Sequence, residues 1–460
     1  MSDGSLASPV VGDEPLAAPL LKRLGKRLGR RLAGWALPTV FVLLFVAVKF
    51  MPGVTSGSST VNLADAALAA LTIWAIVRVR REGFGALRGS LWLWSAILAL
   101  LAYLVAASLY PTLSDPDYAW KTHLGTALKF AEYAVLVPVT AVLIRDEKAA
   151  RRLWTVVALT AAVAGVIAVL QFFGVQIFQA AETGTRQPAF TGISVLGTLG
   201  AAAIAVGFVG VLWPGTLSRR VIAAGLVGGS VSAIFSGEAA AGISIALITV
   251  ASLLLVRVRR RVTARQAAVV IGVTLACAVG MLTIRSGDIS QFTSTIDKKA
   301  KAENVNTYSQ RTLMLYIGLR IWEAHPLFGS GWESIREPRV YSPFLAAAHR
   351  RFPNQPEEAF PSAEHRWGVD NAYVQSLAEL GIVGTAVLLA FLATGVGMGI
   401  RGALRAPPES AELALMGLLW LLVTIGIWAG QGLVAGTGFA ALPFFGLGLI
   451  AAQRARARAT

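Results

Sequence analysis

Asp370 and Asn371 sit where a polar stretch meets a long apolar run, and Arg311 lies in the same polar region upstream. A carboxylate at such a place can take the proton of a hydroxyl as its oxygen attacks an electrophile. It can equally cap the helix that follows. His365, five residues before Asp370, is the rival base. Arg311 can hold anionic oxygens through charge-assisted hydrogen bonds, or rest against lipid headgroups. Arg285, Arg186 and Arg366 are further anion ligands to consider. Arg320 falls nine residues after Arg311, nearly opposite on an ideal helix, so the two do not suit one phosphate. His325 and His349 read as loop-surface residues, and their spacing suggests no metal site. Within apolar runs, Lys129 and Glu132 share a helical face and can pair, and Asp65 is another acid in an apolar setting. Such residues are functional candidates, or structural contacts near a membrane edge. Glu238 falls at a turn that could face the same cavity as Arg311.

The elements that carry these residues follow from composition. The chain has 460 residues, 55% hydrophobic and 14% charged, with a mean hydropathy of +0.64. A soluble domain carries about 25% charged residues, so a soluble enzyme, a disordered chain and a disulfide-rich module are excluded. The single cysteine, Cys277, permits no disulfide within the chain and reads as a small packing residue. Apolar stretches recur at 34–52, 60–78, 90–110, 124–144, 153–174, 190–213, 219–236, 239–256, 266–284, 373–400, 411–428 and 432–450. These predict an all-α polytopic membrane protein of about twelve helices. The run at 219–236 and its successor are the least distinct, separated by SGEAA alone. The net charge of +16 reads as basic cytoplasmic loops and contact with anionic lipid, with no nucleic-acid partner.

Charge fixes an expected orientation. With the N-terminus inside, the inner segments hold KRLGKRLGRR, RRE, RDEKAARR, SRR, RVRRR and the terminal RARAR. Both termini are then cytoplasmic, and omitting one helix would invert everything downstream. The division is a basic tail at 1–33, helices over 34–284, a large extracytoplasmic (periplasmic) loop at 285–372, helices over 373–450 and a basic tail at 451–460. The first run reads as a retained membrane helix, and the tail before it as a basic amphipathic segment on the inner surface. The outer loop holds most of the histidines. Within it, residues 307–324 predict an amphipathic helix at the membrane boundary, capped by Thr307 or Ser309 and ended by His325-Pro326. Leu313, Ile317 and Ile321 form its apolar stripe, and a turn with Gly329 and Gly331 follows. Gly381 and Gly384 are expected just inside the next helix, allowing close helix approach. Trp35, Trp120, Trp154 and Trp213 read as interface anchors.

Arg311, the HPLFGSGW segment, and Asp370-Asn371 followed after nine residues by Gly381-Ile-Val-Gly384-Thr385 together resemble the O-antigen ligase and polymerase superfamily. The sharp motifs cover about 309–385, and the long outer loop between the ninth and tenth helices agrees. Two features depart from the pattern. The ligases have histidine where this chain has Asp370. They also often show a Ser-Arg pair where this chain reads SGEAAAGIS, with Glu238 and no arginine.

The resemblance implies a lipid-dependent glycosyltransferase of GT-C-like helical fold in a bacterial inner membrane, acting in cell-surface polysaccharide or lipopolysaccharide assembly. It implies a metal-independent, inverting transfer needing no cofactor. The donor is a glycan on a polyprenyl diphosphate such as undecaprenyl diphosphate, and the acceptor is a glycan, lipid or protein hydroxyl. Under it, Arg311 meets the diphosphate and Asp370 acts as base. Asn371, Arg320, Arg285, Arg186, Arg366 and His365 are the remaining substrate-binding candidates. A polymerase uses the same donor, and the GxxGT spacing tilts toward ligase. The reading from another class is a transporter or flippase of lipid-linked glycan. It requires charges near the bilayer midplane and broken helices there, and internal repeats of the kind it often shows are not evident.

Overall fold

The computed structural model describes residues 34–56, 59–286, 307–434 and 436–458. The expected surface segment at 1–33 and the end of the C-terminal tail lie outside them. Almost all ordered structure is helical, apart from one antiparallel hairpin, Gly53–Ser56 with Ser59–Asn62, in the register Gly53↔Asn62.

Each expected apolar run coincides with helix, but the twelve are not alike. Among the described residues, nine helices are long and apolar enough to cross a membrane. The first run gives only the shorter helix Gly34–Phe45. Its chain is drawn aside there, because the Ala47 amide donates to Phe190 O at 3.0 Å instead of continuing the helical ladder. The second helix begins at Leu63, not 60, since Asn62 ends the hairpin and caps it. Asn62 Oδ1 accepts from Ala64 N at 2.8 Å, and Asp65 Oδ2 accepts from Asn62 N at 2.9 Å. The run at 219–236 is helical but passes through a π-turn at Ala224–Gly228. The fourth run divides into Trp120–Ala134 and Leu136–Leu143. Pro138 has no N–H to give to Ala134, which is where the first piece stops.

Ile193–Leu212, Ser410–Ile427 and Thr437–Arg456 are the most enclosed helices, and Ala264–Ile284 is the least. The last is the one most open to lipid. Trp154 is 1% exposed and belongs to this core, which corrects its reading as an interface anchor; Trp35, at 49%, fits that reading. Cys277 is fully buried, as a packing residue should be.

Loops gather at two ends of the bundle. At one end Arg454 donates to Gly89 O, Arg259 to Ala403 O and Ala406 O, and Arg151 to Gly215 O. At the other, Gln187 N donates to Phe235 O and Ala372 N to Trp428 O. Residues 307–371 stand at this second end. The helix Thr307–Ala324 matches its expected span, though Thr307 and Ser309 as side chains lie outside the described set. Its stripe of Leu313, Ile317 and Ile321 is completely buried in a separate small core with Ile335, Tyr341 and Phe360. The stripe thus faces a protein core, where the sequence suggested a membrane boundary.

Candidate active site

The 307–371 segment is fastened to the bundle by a helix break. Gly381 has φ 67°, ψ −170° inside the helix Ala372–Arg405. The interrupted ladder is completed by the turn from the HPLFGSGW motif. Ile382 N donates to Pro326 O at 2.9 Å and Val383 N to Leu327 O at 3.1 Å. In return Ser330 N donates to Ala378 O at 2.9 Å and Gly331 N to Glu379 O at 3.0 Å. The freed amides of Ile382 and Val383 and the carbonyls of Ala378 and Glu379 are thus paired, as a buried backbone demands. A Cβ at Gly381 would stand 2.3 Å from Leu327 O, and one at Gly329 would stand 2.2 Å from the Glu379 carbonyl carbon. Both residues also have positive φ. Gly329 and Gly381 therefore serve a loop against a helix, in place of the close helix approach expected of Gly381. Gly384 meets that expectation: a Cβ there would stand 2.2 Å from Tyr103 Cε1 on the helix Leu91–Leu109. Tyr103 and Tyr110 hold the joint further, donating to Leu380 O and to the carbonyls of Phe328 and Gly329.

Asn371, not Asp370, is the cap of the Ala372–Arg405 helix. Its Oδ1 accepts from Tyr373 N at 3.1 Å and Val374 N at 3.0 Å, and its Nδ2 donates to Ala429 O at 3.0 Å. Asp370 is left free of capping and turns to Arg311, whose Nε donates to Asp370 Oδ2 at 3.1 Å. The Asp370 side chain is 43% exposed. On the other side of the guanidinium, Arg311 Nη1 lies 3.9 Å from Glu238 Oε1. Glu238 is buried, and its Oε2 accepts from Ser194 Oγ at 3.1 Å and Gln431 Nε2 at 3.3 Å. One arginine thus lies between a buried carboxylate and an accessible one.

Arg186 and Arg285 reach the same turn. A Cβ on Gly237 would meet Arg186 Cδ at 2.7 Å and Arg285 Cγ at 3.4 Å, so both side chains cross this glycine beside Glu238. Arg186 is carried there by a loop that Gln187 organises. Gln187 Oε1 accepts from Ala181 N, and its Nε2 donates to Glu182 O and Thr185 O. Arg285 ends the helix Ala264–Ile284 and is 6% exposed. The structure therefore brings together Arg311, Asp370, Arg186 and Arg285 with Glu238.

The other sequence candidates fall elsewhere. Arg320 pairs with Glu323 on the exposed side of its helix. Arg366 is exposed, and its charge bears on Tyr341. His365 is exposed, stacks on Trp367 and lies 3.4 Å by Nδ1 from Ser362 Oγ. His349 stacks on Phe360, and His325 is exposed. Lys129 pairs with Glu132 at 2.9 Å, as expected, and also with Asp65. In this structural cluster one lysine answers two carboxylates.

Sequence reasoning missed the polar layer behind the site. Glu379 is fully buried and accepts from Gln375 Nε2 at 3.0 Å, while Gln375 also donates to Glu333 at 3.1 Å. Gln375 Oε1 takes the Leu433 amide at 2.7 Å, tying this layer to the Gln431 that holds Glu238. A signal existed: Gln375 and Glu379 are polar at i, i+4 spacing in an apolar helix. His123 is buried, and its Nε2 lies 2.5 Å from Glu337 Oε1. Burial pushes the Glu337 carboxyl up, but His123 and Arg339 outweigh it and hold it below the usual carboxylate range.

A family model described as O-antigen ligase matches residues 224–389. This segment is similar to the O-antigen ligase family. It contains Glu238, Arg285, Arg311, Asp370 and the Gly329–Gly381 joint, so the motif resemblance holds where the site is built. Arg186, Ser194 and Gln431 come from outside it. No curated protein matches the chain. The apolar helices and the O-antigen ligase match together describe a multi-pass membrane protein.

Proposed function

We propose that this protein transfers a glycan from a polyprenyl diphosphate to an acceptor hydroxyl at the extracytoplasmic face of the inner membrane. The Arg311–Asp370 contact carries the reading. It sets a cation suited to a diphosphate beside a carboxylate that no helix cap consumes. In the reaction the acceptor oxygen bonds to the anomeric carbon from the face opposite the diphosphate. Asp370 takes the hydroxyl proton. The bond from that carbon to the phosphate oxygen breaks, and polyprenyl diphosphate leaves with the electron pair, inverting the anomeric centre. Arg311 stabilises the charge developing on the leaving group, with Arg186 and Arg285 as the further cations at the same turn. These two stand where the ligases often supply an arginine and this chain has Glu238.

Its placement beside Arg311 decides the use of Asp370 as a base. Asn371 is a positioning residue that holds Asp370 at the head of the helix. No metal enters the scheme, and turnover is expected to persist with a chelator. Ligase and polymerase share all of these steps, and the GxxGT spacing favours ligase. A transporter would use charge at mid-membrane, and Lys129 and Glu132 do lie mid-way along Trp120–Leu143, but there the lysine is already engaged by both Glu132 and Asp65.

The test is release of polyprenyl diphosphate from a lipid-linked oligosaccharide by the purified protein in vesicles. Wild type should consume donor. Asp370→Asn should lower turnover about 10²–10⁴-fold, and Arg311→Ala should lose it with the fold intact by circular dichroism. Full activity in Asp370→Asn would move the base to His365 or elsewhere. Donor crossing the bilayer unconsumed would replace the transferase reading with the transporter one.

A further inference from the structure

At the end of the bundle opposite the candidate active site, the loop after Leu63–Glu82 lies against the last turn of Thr437–Arg456. Between them is a cavity of about 470 Å³ lined by Arg88, Arg145, Arg456, Arg458 and Glu82. Arg145 and Arg78 both pair with Glu82, so the acid is already answered. Neither Arg88 nor Arg458 has a carboxylate partner among the described residues. Arg458 folds its guanidinium over Gly89, where a Cβ would stand 2.5 Å from its Cζ, and Gly89 holds φ 98° to leave that room. Arg456 lies within electrostatic reach of Asp146, Glu147 and Glu412, yet its Nε and Nη2 are buried without a hydrogen-bond partner. The cavity thus sets guanidinium donors, in excess over acid, around an apolar wall of Ala86, Ala141, Ile144 and Ala452.

A second cavity of about 490 Å³ shares Arg88 and Arg458 with the first, but is lined otherwise by apolar groups that include Phe84, Leu91, Trp94 and Pro138. Phe84 and Leu91 are 62% and 75% exposed. A charged chamber therefore opens directly into an apolar trough on the outside of a membrane bundle. A free anion would use only the first chamber, and a neutral lipid only the second. We propose that this double cavity is a binding site for an anionic glycerophospholipid. Its phosphodiester sits between Arg88 and Arg458, and an acyl chain runs over Leu91, Trp94 and Pro138. Guanidinium forks match phosphate oxygens, and basic pockets between membrane helices hold such headgroups. The inference rests on the chain's spanning a membrane and not on the transfer chemistry, so either can fail without the other.

The test is native mass spectrometry of the full-length protein released from detergent after exchange with phosphatidylglycerol or phosphatidylcholine. Wild type should retain phosphatidylglycerol and gain several degrees in Tm from it, with neither effect from phosphatidylcholine. Arg88→Gln with Arg458→Gln should cut retention about tenfold while leaving Tm in phosphatidylcholine unchanged. Arg219→Gln with Arg220→Gln, at the same end but outside the cavity, should retain lipid as wild type does. Equal retention of both lipids, or undiminished retention in the Arg88/Arg458 variant, would overturn the proposal. Glycerol 3-phosphate reproducing the Tm gain would overturn the lipid as ligand and leave a simple anion site.

Discussion

Arg311 has two carboxylate neighbours with different freedoms, and that difference is the chemistry of the site. Glu238 is buried and held by Ser194 and Gln431, so it is fixed; Asp370 is accessible and, among the described residues, held by Arg311. Under the proposed reaction, a diphosphate arriving at Arg311 would compete with Asp370, not with Glu238, and would release the proposed base as it binds. Arg311→Lys is accordingly expected to lose most turnover, since a point charge does not reproduce the guanidinium fork. Steady-state kinetics should show the loss chiefly in kcat. Glu337 makes a second prediction at this scale. Its folded pKa is depressed, so its contribution to docking the 307–371 segment is present above the unfolded carboxylate pKa. That contribution is lost as pH falls through the folded value. Melting followed from pH 7 to pH 3 should show wild type losing more Tm than Glu337→Gln. Equal losses would remove Glu337 from the docking contact.

The helix Ala372–Arg405 is the element on which the site hangs, and it is built in two pieces joined at Gly381. Gly381→Ala meets both a positive φ and a carbonyl oxygen at 2.3 Å. Backbone strain of this kind costs about 1–3 kcal/mol, and the clash adds to it. The variant should melt lower and expose the 326–331 turn to protease, with activity lost even though no reacting group has changed. Asn371→Ala should cost about 1 kcal/mol through the lost cap. It should also lower kcat more than that stability loss explains, because Asp370 is positioned by the same turn. A drop in Tm with unchanged kcat would leave Asn371 a cap and nothing more.

At the scale of the molecule, the two loop-rich ends differ in their contents. One carries the clustered arginines at 78–88, 145–152, 257–261 and 454–458, and the other carries Arg311, Asp370 and the small core of Leu313 and Ile317. Cys277 is buried, so single introduced cysteines can report sidedness. Ser362→Cys should react with an impermeant maleimide in intact cells, and Lys148→Cys only after permeabilisation; the reverse pattern would invert the proposed topology. Sequence determined a good deal here. Apolar runs of about twenty residues, with arginines flanking alternate ends, are local properties of the chain, and lipid reads them before any helix packs. The amphipathic stripe of 307–324 was legible for the same reason, as was the spacing from Asp370 to Gly384. Tertiary structure alone decided what the stripe covers, that Asn371 takes the cap and so frees Asp370, and that Gly381 breaks a helix to receive Leu327 and Gly329. It also decided that Arg186 and Arg285 cross at Gly237. Those outcomes are contacts between segments far apart in the chain, and neither composition nor periodicity carries the distance between two surfaces that have not yet met.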